Sequence, residues 1–178
     1  MIFRLFRRPL RSRSIASLYG MIVAQARAPA FYLVYRVPDT VNGRLEMVML
    51  HAVLVLQRLE AGAEPARALG QALFDHFCRD MDANLREMGV GDLAVPRKMR
   101  GVGEAFYGRQ AAYRAALAVP DQGPLAQALA RNVFAGGSGS EAPDRLAAYV
   151  REAARGLAMQ DGFDRGELEF PDPERIQA

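Results

Sequence analysis

Apolar residues recur at helical spacing along most of this chain. The clearest case is residues 43–60, where apolar side chains follow a period of 3.6 residues and occupy nearly the whole circumference. A helix that is apolar on almost all sides is expected to lie buried at the centre of a fold. Shorter amphipathic segments surround it, and Pro and Gly residues separate them. The pattern predicts about six helices, over residues 14–27, 43–60, 66–88, 96–117, 125–135 and 143–160.

Three stretches lack this periodicity. Residues 31–37 are predicted to be extended, as an ordered loop rather than a lone strand, because no partner strand is evident. The Gly- and Ser-rich residues 136–140 predict a flexible break, and residues 161–178, with two prolines, predict an irregular tail. We therefore expect a single all-α domain: an N-terminal segment (1–13), a helical body (14–160) and a C-terminal tail (161–178).

The first residues form a basic amphipathic segment. On a helical wheel, apolar side chains lie on one side and arginines on the other, which is typical of an interfacial membrane anchor. The alternative is that the apolar side packs on the domain. No apolar run is long enough to span a bilayer, and the short apolar stretches among the first arginines lead us to expect that this segment is not a secretory signal. The predicted membrane contacts are Phe3, Arg4, Phe6, Arg7, Arg8 and Arg11.

Composition and charge narrow the class of protein. The chain has 178 residues, of which 51% are hydrophobic and 24% are charged, so it can fold as one globular domain without disulfide bonds or a structural metal. Cys78 is the only cysteine, which excludes a disulfide framework and suits a reducing compartment. A net charge of +3 is too small to indicate a nucleic-acid-binding protein by itself.

The residues that could carry catalysis do not form a convincing set. No glycine-rich segment has the Lys and Ser or Thr of a phosphate loop, and Cys78 has no histidine on its own helix face. His51, His76 and Asp80 are a possible metal trio, but we expect Asp80 to bond His76 or an arginine and His51 to make a polar contact in the core. The residues therefore predict neither an enzyme nor a cofactor.

One basic patch could bind a macromolecule. Arg97, Lys98, Arg100 and Arg109, with Tyr107 between them, could contact phosphates while the aromatic ring stacks on a base. The patch could equally contact an acidic protein or be an ordinary solvated helix face. A third alternative is an internal ion-pair network in which Asp80 pairs with Arg109.

An ordered series of short motifs is more specific. Met49-Leu50-His51 is followed by Asp80-Met81-Asp82, and residues 19–32 and 85–113 carry the rest of the series, including 85–92 (LREMGVGD), 95–99 (VPRKM) and 104–109 (EAFYGR). Over residues 15–135 the chain resembles the ubiquinol–cytochrome c chaperone family, the Cbp3-type assembly factors of the cytochrome bc1 complex. Val53 stands where family members often have an aromatic residue.

The resemblance implies a non-enzymatic bacterial assembly factor that binds newly made cytochrome b. It also implies a small partner, possible contact with the ribosome, and a location in the cytoplasm or on the cytoplasmic face of the inner membrane. A peripheral membrane or RNA-associated module that couples translation to membrane insertion is the alternative. On either interpretation we expect the third and fourth predicted helices to bind the partner, through Asp80, Asp82, Arg86, Asp92, Arg97, Lys98, Arg100, Tyr107 and Arg109.

Overall fold

The computed structural model describes residues 3–136 and 141–176, with side chains from residue 12 onward. In this part of the chain the backbone forms seven α-helices, one 3-10 helix and no strand, which confirms the all-α prediction. The six helices of ten or more residues correspond to the six predicted ones. The elements are α1 (Phe3–Ala26), α2 (Pro29–Leu33), α3 (Val41–Glu60), α4 (Glu64–Glu87), α5 (Val95–Leu117), α6 (Gly123–Asn132), α7 (Ala142–Ala158) and the 3-10 helix Phe163–Arg165.

Helix α3 lies at the centre, where its apolar circumference predicted it. It packs against α1, α4, α5 and α7, and its residues from Glu46 to Leu56 are all buried. Thr40 caps its start, because the hydroxyl accepts a hydrogen bond of 3.0 Å from the backbone N–H of Gly43. A Cβ at Gly43 would lie 2.0 Å from the carbonyl oxygen of Pro38, so the tight approach to α3 requires glycine there.

Two predicted boundaries are wrong. Helix α1 begins at Phe3 and passes through Ser14, which therefore lies inside the helix, and its Oγ donates to the Asp164 carbonyl at 2.7 Å. The stretch predicted to be extended starts with a helix, α2, because Pro29 is pre-organised for a first helical turn. The buried Phe31 ring holds α2 against Tyr149 at a centroid distance of 4.8 Å.

The C-terminal tail is irregular after its 3-10 helix, as predicted, but it is part of the core. Phe163 is buried, and Phe170 packs edge-on against His51 at 5.0 Å. Gly166 has a φ of 80°, and a Cβ there would lie 3.0 Å from the Ser14 Cα, so the tail lies directly on α1. Ser17 donates to the Gly166 carbonyl at 3.0 Å. The tail thus covers one side of α1, and it does not cover the side of α1 that faces α3 and α4.

None of the helices in the described ranges combines the length and apolar character needed to cross a membrane. The predicted membrane contacts Phe3, Arg4, Phe6, Arg7, Arg8 and Arg11 have their backbone in α1, and their side chains lie outside the described ones. Their contact with a membrane stays a prediction.

Candidate functional site

An open groove of about 480 Å³ lies between α1, the first half of α3 and the C-terminal half of α4. We call it the apolar groove, because aliphatic and methionine side chains from each of these helices line it, together with one residue of α5. The apolar lining residues are Val23, Val41, Leu45, Val48, Met81, Leu85, Met88 and Val102.

Two of these apolar side chains are largely exposed to solvent. Val41, the first residue of α3, is 70% exposed, and Met88, which directly follows α4, is 63% exposed. A contiguous apolar surface with a polar rim is typical of an interaction site in a monomeric protein. Methionine adds adaptability, because its flexible thioether can follow the shape of different apolar partners. The groove therefore presents an accessible apolar surface between the three helices.

A fixed carboxylate lies in the wall of the groove. The Tyr19 hydroxyl donates to Asp80 Oδ2 at 2.7 Å, and the Asn84 amide donates to the same oxygen at 3.1 Å. Burial, and then the hydrogen bond to Asp80, raise the pKa of Tyr19 far above its ordinary value, so the phenol remains a donor. The predicted bond from Asp80 to His76 or an arginine is wrong, because Tyr19 takes that place.

Arg109 makes an internal ion pair. Its guanidinium donates two hydrogen bonds of 2.5 Å to the carboxylate of Glu46, whose side chain is only 3% exposed. The pair joins α5 to the central helix, and the hydrogen bond to Glu46 raises the pKa of Arg109. The predicted pairing of Arg109 with Asp80 is therefore wrong. Glu46 was missed in the sequence, although a lone acid inside an apolar helix signals a buried partner.

Asp82, Arg86 and Asp92 form an exposed network at the end of α4. Arg86 donates to Asp82 at 2.6 Å and also bonds Asp92, which ties the loop after α4 back to the helix. The hydrogen bond to Asp82 raises the pKa of Arg86. Exposed ion pairs of this kind contribute little to stability. The network thus connects the loop to α4 and leaves polar groups accessible beside the apolar groove.

The remaining predicted site residues lie on α5. Arg97, Lys98 and Arg100 are exposed, and within the described part of the chain their side chains make no ion pair or hydrogen bond. We call these three residues the basic cluster. Tyr107 is also exposed, with its ring against Phe74 at a centroid distance of 5.6 Å. The structure therefore separates the predicted set into a groove wall, an internal pair, a loop network and an unpaired basic cluster.

The residues that were candidates for catalysis or metal binding lie in structural positions. His51 is fully buried, with Nδ1 2.7 Å from the Met47 carbonyl and Nε2 2.9 Å from the Tyr149 hydroxyl, so the predicted polar contact in the core is confirmed. Burial raises the pKa of the Cys78 thiol, which keeps it protonated and weakly nucleophilic. Across residues 3–136 and 141–176, no three His, Cys, Asp or Glu side chains are placed to hold a metal ion.

Comparisons with known proteins agree on one family. A family model described as "Ubiquinol-cytochrome C chaperone" matches residues 34–167. Ubiquinol-cytochrome c reductase complex assembly factor 1 from Mus musculus is 25% identical over 150 residues, which are 83% of this chain and 50% of that protein. The chain thus spans about half the length of this curated relative. The crystal structure of the Cbp3 homolog from Brucella abortus is 36% identical with a TM-score of 0.90, over 99% of this chain and 100% of that one.

Proposed function

Because the chain belongs to the ubiquinol–cytochrome c chaperone family, we propose that it is an assembly factor of the cytochrome bc1 complex and that it binds newly made cytochrome b. The resemblance inferred from its motifs is confirmed by the family match and by the solved homolog. The family description and the name of the mouse relative both support a role in assembly of ubiquinol–cytochrome c reductase. On this proposal the chain binds a polypeptide and transforms no substrate.

The apolar groove is the observation that supports polypeptide binding. Cytochrome b spans the membrane several times, so its newly made chain exposes long apolar segments before they are inserted. Such a segment matches a groove lined by Met81, Leu85 and Met88 in chemistry, because burial of both apolar surfaces is favourable. The Asp80 carboxylate and the network around Arg86 supply polar contacts at the wall and at one end. We assign the groove to an apolar segment of the client.

The test uses two groove residues that can be changed without disturbing the core. Val41→Glu and Met88→Glu combined place charges in the groove at exposed positions. The new charges lie at the start of α3 and the end of α4, so their effects on the two helix dipoles oppose each other and the melting temperature should change little. The matched control is Val119→Glu with Met159→Glu, which changes the same residue types at exposed positions that do not line the groove.

The readout is capture of cytochrome b from detergent extracts of cells that produce the tagged protein and the bc1 complex. The groove variant should capture cytochrome b about tenfold less than the wild type, because covering a charged carboxylate with an apolar segment costs free energy. The control should capture it normally. Normal capture by the groove variant, or an equal loss in the control, would contradict the proposal.

The place of action and the other partners are also proposals. A client that enters the inner membrane from the cytoplasm requires its chaperone in the cytoplasm or at the cytoplasmic face of that membrane. Contact with the ribosome would bring the groove to the client as it is made. Fractionation of cells after mild lysis, followed by detection of the tagged protein in the ribosome, membrane and supernatant fractions, distinguishes these locations.

A further inference from the structure

The loop between α4 and α5 exposes a leucine completely. Leu93 is 99% exposed, the highest value among the large apolar residues that the structure describes as exposed. The residue before it, Asp92, pairs with Arg86 and so connects this part of the loop to the end of α4. A fully exposed leucine contributes nothing to the packing of its own fold. Its side chain is therefore free to contact a surface outside the chain.

The basic cluster follows directly after this leucine. Arg97, Lys98 and Arg100 lie in the first two turns of α5, and the first turn of this helix contains no acidic residue. Within the described ranges, their side chains have no carboxylate partner, whereas Arg86 and Arg109 both do. Cations near a helix N-terminus are unfavourable for the helix itself. Internal stability thus does not account for the cluster, and an anionic surface outside the protein would.

An exposed apolar side chain beside unpaired cations is the combination that suits a membrane interface. The leucine can enter the boundary between headgroups and acyl chains, while the cations contact lipid phosphates. A single-stranded RNA would need several aromatic rings to stack on, whereas Tyr107 is the one aromatic ring among the exposed large apolar residues of the described chain. We propose that Leu93 and the basic cluster form a second membrane contact, which docks the protein on anionic phospholipid.

The proposed membrane contact lies between two residues that line the apolar groove. Met88 precedes the loop, Val102 follows the basic cluster, and both line the groove. Docking through the segment between them therefore holds the groove at the membrane surface, where apolar client segments are inserted. This contact is separate from the predicted N-terminal anchor and goes beyond the proposed function, since lipid binding does not depend on which client is bound.

The experiment measures binding of the purified full-length protein to vesicles. One set contains phosphatidylcholine alone, and the other contains phosphatidylcholine mixed with anionic phosphatidylglycerol. The first test variant neutralises the basic cluster, and its control removes the same charge from exposed arginines elsewhere. The variants are Arg97→Gln/Lys98→Gln/Arg100→Gln for the test and Arg36→Gln/Arg131→Gln/Arg155→Gln for the control.

The second test variant is Leu93→Ala, with Met159→Ala as its control at an 86% exposed position. Neutralising the cluster should weaken binding to phosphatidylglycerol vesicles roughly 100-fold, from about 1 kcal/mol per cation. Leu93→Ala should weaken it about tenfold, from the lost apolar burial. Both controls should bind as the wild type does, and added salt should weaken the wild type.

Equal binding of the cluster variant and the wild type to phosphatidylglycerol vesicles would overturn the proposal. If the same variant then lost cytochrome b capture in detergent, the cluster would be assigned to a polypeptide. If it lost ribosome binding instead, the cluster would be assigned to RNA. Because capture in detergent is measured separately, failure of this proposal and failure of the proposed function are distinguishable.

Discussion

Replacing His51 by glutamine tests how a buried chain of polar groups supports the fold. The His51 Nδ1–H donates to the Met47 carbonyl, and Nε2 accepts from the Tyr149 hydroxyl. Gln25 then donates to the Tyr149 hydroxyl at 3.0 Å and to the Pro171 carbonyl at 3.1 Å. The chain thus connects α3, α7, α1 and the tail, and it requires a neutral histidine because Nε2 must accept.

The structure sets both the sign and the size of the pH effect. Burial lowers the pKa of His51 to about 4 from 6.5, opposed only by the hydrogen bond to the Met47 carbonyl. On acidification, His51 is therefore protonated near pH 6.5 in the unfolded chain but only near pH 4 in the folded protein. The contribution of His51 to stability is present above the unfolded pKa and is lost as the pH falls toward the folded pKa.

Each pKa unit corresponds to about 1.4 kcal/mol, so the complete loss is about 3 kcal/mol. Between about pH 7 and about pH 5, roughly 2 kcal/mol of this loss is expected. Urea denaturation followed by circular dichroism gives the free energy of unfolding at each pH.

His51→Gln should be less stable than the wild type at about pH 7, by about 1–3 kcal/mol, because the chain of hydrogen bonds is disturbed. It should also lose about 2 kcal/mol less on acidification, because glutamine does not titrate. His76→Gln is the control, since it removes a histidine that lies outside this chain of hydrogen bonds. If the free energy of unfolding of His51→Gln fell on acidification as much as that of the wild type, the inference that His51 is neutral in the folded protein would be refuted.

Three further predictions concern the core, the tail and the N-terminus. Arg109→Leu should lower the free energy of unfolding by roughly 3–5 kcal/mol, because Glu46 would remain buried without its partner; the double change with Glu46→Leu should recover much of this loss, and equal losses would contradict a coupled pair. Phe163→Ala should cost about 3–5 kcal/mol in urea denaturation, and a loss no larger than that of the exposed Arg165→Ala would contradict a packed tail. Neutralising the N-terminal arginines should weaken binding to phosphatidylglycerol vesicles by up to about 1 kcal/mol per residue, and unchanged flotation would exclude the predicted anchor. The arginines to replace by glutamine are Arg4, Arg7, Arg8 and Arg11.

The helices were predictable because their signals are local. Apolar periodicity and Pro or Gly boundaries located each of the six long helices, and the continuous apolar circumference of residues 43–60 indicated the central one. A local signal does not distinguish between two structures when it is compatible with both. Ser14 has the chemistry of a helix cap, yet it lies inside α1, because the arginines and leucines before it favour a helix and Pro9 among them does not end it.

The groove and the pairings inside the fold could not be predicted, because they join distant parts of the chain. The acceptor partner of Arg109 lies 63 residues away on α3, and the Tyr19 hydroxyl reaches Asp80 across 61 residues. Periodicity shows which face of a helix is apolar, but it does not show which neighbouring helix leaves that face uncovered. The apolar groove therefore required the packing of α1, α3 and α4 to be known.

The tail that lies on α1 has a consequence for the synthesis of this protein. Ser14 and Ser17 bond the backbone of Asp164 and Gly166, and Tyr35 donates to the Pro173 carbonyl at 2.7 Å. These partners are 138 to 150 positions later in the chain than the residues they bond. The contacts of the tail with α1 and with Tyr35 therefore form only after residues 164–173 have left the ribosomal exit tunnel, and until then a growing chain exposes the side of α1 that the tail covers.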